Sequence, residues 1–147
     1  MLKDRLSANL KTAMLAGDKP RVEVLRGLKA AILNEEVALG IRDTGLGDQQ
    51  IEQVLAREVK KRNEAAEIYA KAGRHELADT ERAQKAIIEE FLPKQLTDDE
   101  LNDIITATLA EIGDTVHIGQ VIGAVKAKVG QSADGGRIAA AVKARVG

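Results

Sequence analysis

Apolar residues recur at three- and four-residue spacing along nearly the whole chain, and a glycine closes each stretch: Gly17, Gly40, Gly73, Gly113 and Gly130. Glycine enters the left-handed conformation that ends a helix without steric cost, so this punctuation reads as a series of C-caps. The pattern predicts seven helices, over about 2–16, 20–39, 48–72, 75–91, 98–112, 118–129 and 136–146. In Leu96-Thr97-Asp98-Asp99-Glu100-Leu101 a capping box and a hydrophobic staple specify one start; Gly47-Asp48-Gln49-Gln50 repeats the box with a weaker cap. Pro20 belongs in a first turn, where its missing amide costs nothing, and Pro93 stops the fourth helix because it pushes Leu92 out of helical geometry. The expected fold is all-α: a four-helix, bundle-like domain over 1–92, a linker at 93–96, and a three-helix tail over 97–147.

Two faces carry more than core residues. The third helix lines up Ile51, Leu55, Val59, Ala66 and Tyr69, and Glu58 and Arg62 share that stripe. In the fourth, Glu81 shares a face with Leu77, Ile88, Phe91 and Leu92. Glu58, Arg62 and Glu81 are therefore expected to form a partly buried ion network between the two helices. Such a network either fixes helix register or serves acid–base chemistry, and no nucleophile accompanies it.

On the sixth helix Ile118, Val121, Ile122, Val125 and Val129 form a narrow apolar stripe. Gly119, Gly123, Lys126 and Gly130 gather within about 60° on a neighbouring face. Glycine inside a helix costs roughly 0.5–1 kcal/mol relative to alanine. A glycine face needs a reason, either close packing of another helix or close approach of a sugar-phosphate backbone. The seventh helix opens at Asp134-Gly135-Gly136-Arg137, where free amides beside an arginine can hold a phosphate or form an ordinary capped turn.

Composition narrows the chemistry. Aromatic residues make up 1% of the 147, Tyr69 and Phe91 alone, so nucleic-acid binding by base stacking is excluded. The absence of cysteine removes disulfides, iron–sulfur clusters and thiolate metal sites. His75 and His117 lack the Glu-x-x-His context of a bundle metal site, so no metal, cofactor or catalytic residue is expected. The N-terminus has no apolar leader and no run approaches a membrane span, which points to a cytoplasmic protein without membrane contact. The balance of 22 basic against 23 acidic residues, net -1, gives no global field for polyanions or DNA. Along the chain the balance is uneven: the fifth helix is purely acidic, whereas Lys126, Lys128, Arg137, Lys143 and Arg145 face only Asp134 after residue 115.

Several motifs together resemble the GatB/YqeY family. They are Leu25-Arg26-Gly27-Leu28-Lys29-Ala30-Ala31-Ile32, Lys60-Lys61-Arg62 with Tyr69, Ala72-Gly73-Arg74 with Leu77, Ala78 and Glu81, Leu92-Pro93 with Gln95-Leu96, Ile118-Gly119 with Gly123, and Ala133-Asp134-Gly135. Ser132 departs from a frequent basic residue and Ile122 from a frequent methionine. The resemblance implies a stand-alone relative of the C-terminal helical and tail portion of the B subunit of tRNA-dependent amidotransferases. The family label of carbon–nitrogen ligase with glutamine as amido-N-donor would be inherited from that larger enzyme, since these residues cannot perform the reaction unaided. It also implies a tail that holds structured RNA, tRNA above all, and so favours RNA docking on the glycine face: Gly119, Gly123, Lys126, Gly130, Gly135 and Arg137 are the expected RNA-binding set, with backbone approach at Gly119 and Gly123 and phosphate pairing by Lys126 and Arg137. Three or four neutralised phosphates would give a log K against log salt slope of about -3. The competing expectation is an accessory that docks on a synthetase or amidotransferase without touching RNA.

Overall fold

A computed structural model describes residues 1–113 and 117–146. The described residues form seven α-helices and a short 3₁₀ turn. The helices are α1 (Leu2–Ala16), α2 (Lys19–Ala38), α3 (Asp48–Lys71), α4 (His75–Glu89), α5 (Asp98–Ile112), α6 (Ile118–Val129) and α7 (Gly135–Val146), and the turn is Gly130–Ser132. The all-α expectation holds, and the ends follow local chemistry. Gly17, at φ 70°, closes α1 in a Schellman motif: its amide donates to Met14 and that of Asp18 to Ala13. Asp18 then caps α2 through the Arg21 amide, with Pro20 in the first turn. At α5, Thr97 Oγ1 accepts the Glu100 amide at 3.1 Å while Glu100 Oε1 accepts the Thr97 amide at 3.0 Å. The predicted end of α4 shortens, because ahead of Pro93 the amides of Phe91 and Leu92 tighten to i−3 bonds on Ile88 and Glu89.

The chain divides into two compact units, Met1–Leu92 and Pro93–Gly147. In the first, Leu6, Leu25, Leu28, Ile32, Ile51, Leu55 and Ile88 are almost fully buried around Phe91. Arg21 grips Glu90 with both terminal guanidinium nitrogens, at 2.8 and 3.1 Å, and the Arg5 guanidinium lies 5.3 Å from the centre of the Phe91 ring. Cross-links from Arg62 to Gln84 and from Lys85 to Asn63 set the antiparallel register of α3 and α4. Beyond these links only Ala66 and Ala78 are buried, so the far half of this hairpin is two helices packed on each other through small residues.

The second unit packs Leu101 and Ile105 of α5 against Val121, Val125 and Val129 of α6 and Ile138 and Val142 of α7. Residues 95 and 96 belong to this packing. The Leu96 amide donates to the Ser132 carbonyl at 2.8 Å, the Gln95 side chain donates to the Gln131 carbonyl at 2.8 Å, and the Leu96 side chain rests on the core. No helix among the described residues is long and apolar enough to cross a membrane.

Candidate nucleic-acid interface

The valines of α6 turn into the core of the second unit, and the opposite side of the helix is bare. Gly119 and Gly123 are exposed, and a Cβ built on either would find no described atom beyond its own helix within 4 Å. No described helix uses the close approach that two glycines allow.

Lys126 and Gly135, nine residues apart in sequence, come together. A Cβ on Gly135 would lie 3.3 Å from both Cε and Nζ of Lys126, so the bare glycine leaves room for the lysine at the start of α7. That helix end carries the positive pole of its dipole. Asp134 partly answers it, accepting the Gly136 amide on Oδ1 at 3.2 Å and the Ile138 amide on its carbonyl. Lys126 is exposed and has no ion pair or side-chain hydrogen bond among the described residues, so its ammonium stands beside the N-terminal end of α7 with no described group to neutralise it. Gly130 is glycine for a backbone reason: at φ 55° and ψ -127° it turns the chain out of α6, in a region that side-chain-bearing residues avoid.

Arg137, expected beside free amides as a phosphate-holding base, is half-buried and already engaged. Its Nη2 donates to the Leu96 carbonyl and to Asp98 Oδ1, each at 2.9 Å, which ties the start of α7 to the start of α5. Lys128 likewise reaches α5, at 3.0 Å from both Thr108 Oγ1 and Glu111 Oε2, and Arg145 donates to Thr106 Oγ1. The acidic helix and the basic end, separate in sequence, are thus folded onto one another. Of the C-terminal bases, Lys126 and Lys143 alone keep no such partner among the described residues.

In the first unit Glu58 and Arg62 approach to 3.5 Å, with side chains 14% and 18% exposed. The Arg62 guanidinium also donates to the Glu58 carbonyl and to Gln84 on α4, both at 3.2 Å. Glu81 makes no ion pair among the described residues. The register set by Arg62–Gln84 and Asn63–Lys85 puts Glu81 level with Ala66, about one turn along from Arg62. Gln84 supplies the α4 end of the link that Glu81 was expected to supply.

The buried charge of this unit is Glu36, which the sequence pattern had not singled out. Lys3 Nζ lies 2.6 Å from its Oε2, and the Leu46 amide donates to the same oxygen at 2.9 Å. These bonds, Lys3 first, hold the Glu36 carboxyl below its usual value of 4.5. The arrangement pins the loop between α2 and α3. Gly45 makes it possible, since its Cβ would meet Glu36 Oε2 at 3.0 Å and its φ is 78°. A signal was available: Leu28, Ile32 and Glu36 follow at i+4 along the buried stripe of α2. No cluster of side chains among the described residues could hold a metal ion.

No curated protein matches the chain. A family model described as Yqey-like protein matches residues 3–146, which spans both units. The chain belongs to the family of Yqey-like proteins.

Proposed function

We propose that the second unit is a structured-RNA binding module, with tRNA as its ligand, and that it acts as an accessory rather than as a catalyst. The observation that carries this reading is the meeting of Lys126 with Gly135 at the start of α7, beside a helix face on which Gly119 and Gly123 stand open. An RNA backbone needs cations, free amides and room for close approach, and it needs no aromatic ring. The choice of tRNA follows the resemblance that the motifs Ile118-Gly119, Gly123 and Ala133-Asp134-Gly135 suggest to the tail of amidotransferase B subunits. Any carbon–nitrogen ligase chemistry then belongs to a partner enzyme. Lys126 pairs a phosphate; Gly119, Gly123 and Gly135 admit the backbone; Gly130 shapes the end of α6; and Arg137 holds the start of α7 in place.

A gel-shift series with bulk tRNA at low salt tests the reading, with a single-stranded homopolymer as competitor. Wild type binds tRNA in preference to the homopolymer, and Gly123→Leu, which fills the open face, abolishes the preference. Equal binding by wild type and Gly123→Leu overturns the assignment. A protein partner that co-purifies after nuclease treatment and protects the glycine face from modification at an introduced cysteine would favour a protein-docking accessory instead.

A further inference from the structure

The basic groups of the tail are not equally available, and the reason lies in α5. Arg137 Nη2 is shared between the Leu96 carbonyl and the Asp98 carboxylate. The carbonyl is part of the packed segment that bonds to Ser132, whereas the Asp98 side chain is 91% exposed. The two acceptors therefore differ in kind: one is fixed by the fold, and the other is a solvated carboxylate on the outer side of the guanidinium. Lys128 repeats the arrangement, held by the buried Thr108 hydroxyl and by Glu111, whose side chain is 66% exposed. In each case a fixed neutral acceptor orients the cation and a water-exposed carboxylate covers it.

Resting on the RNA reading above, we propose that Asp98 is an intramolecular competitor for phosphate at Arg137, an autoinhibitory contact that limits the affinity of the tail. A phosphate oxygen can replace the Asp98 carboxylate while the Leu96 carbonyl keeps the guanidinium aimed, because exposed ion pairs are weak and bridging to phosphate is geometrically equivalent. Glu111 does the same for Lys128. Removing the Asp98 charge frees a positioned cation without disturbing the helix start, since Thr97 and Glu100 make the cap.

The experiment measures binding of bulk tRNA over a salt series by wild type, Asp98→Asn and Asp103→Asn, with thermal unfolding of each variant recorded alongside. Asp103 is exposed on the same helix and pairs with no described cation, so its variant changes net charge by the same amount without freeing Arg137. Asp98→Asn is expected to bind about three- to ten-fold more tightly and to steepen the log K against log salt slope by about 0.9, one extra phosphate. Asp103→Asn should match wild type. An equal gain in both variants, or a gain in neither while wild type binds, overturns the competitor role and leaves the RNA reading standing. Absence of binding by all three proteins overturns both.

Discussion

Lys3 and Glu36 form a 2.6 Å ion pair in which the carboxylate is buried and the ammonium half-exposed, and the Leu46 amide donates to the same carboxylate oxygen. One side chain thus joins α1, α2 and the loop before α3. A buried carboxylate left without its cation is far more costly than the pair itself is stabilising. Lys3→Met should therefore lower the unfolding temperature more than Glu36→Leu combined with Lys3→Met. A double variant no more stable than Lys3→Met alone would contradict this.

Stability should fall in acid for a reason that can be assigned. The carboxyl of Glu36 is held low by Lys3 and Leu46, that of Glu90 by Arg21, and that of Glu100 by the Thr97 amide and hydroxyl. Each folded-state value lies below the usual 4.5, so each contribution is complete above that pH and is lost as the pH falls through the lowered value. Urea unfolding between neutral pH and pH 3 should show a loss confined to the acid limb. Glu36→Gln should be less stable at neutral pH and lose less on acidification than wild type.

Glu81→Gln should change stability by no more than about 0.5 kcal/mol, the ordinary range for a change away from any paired group. Arg62→Ala, by contrast, removes contacts to Glu58 and Gln84 and should cost about 1–3 kcal/mol. Denaturant midpoints of the two variants decide which side chain links α3 to α4.

Gly119→Ala and Gly123→Ala should each stabilise the second unit by roughly 0.5–1 kcal/mol, because both sites are helical and open. Gly130→Ala should destabilise it by about 1–3 kcal/mol, because its backbone sits where side chains clash. Thermal scans read both signs. A loss of stability in Gly123→Ala would mean that the glycine face packs against something.

The helices were legible because each level of the sequence agreed. Gly17 and Thr97 cap where they should, and the Val121–Val125–Val129 stripe turns inward as its spacing requires. What the pattern missed are relations between elements. Helical periodicity puts Glu81 and Arg62 on facing stripes, but only the register of two antiparallel helices decides that Gln84 meets Arg62. It likewise marks Arg137 as a base beside the amides that open α7, yet the fold brings the Leu96 carbonyl and Asp98 to it across some forty residues. The candidate interface was half legible: its glycines and Lys126 were visible in one helix, whereas the contact of Lys126 with Gly135 exists only after α6 and α7 have folded back on one another.

The most direct test is the salt dependence of tRNA binding by wild type and Lys126→Glu. With Lys126 and Lys143 as the C-terminal bases that have no partner among the described residues, the wild-type log K against log salt slope should be about -2, shallower than the -3 expected from the sequence alone. Lys126→Glu should lower affinity by about tenfold at low salt and flatten the slope toward about -1. Equal affinity and equal slope in the two proteins would contradict the account.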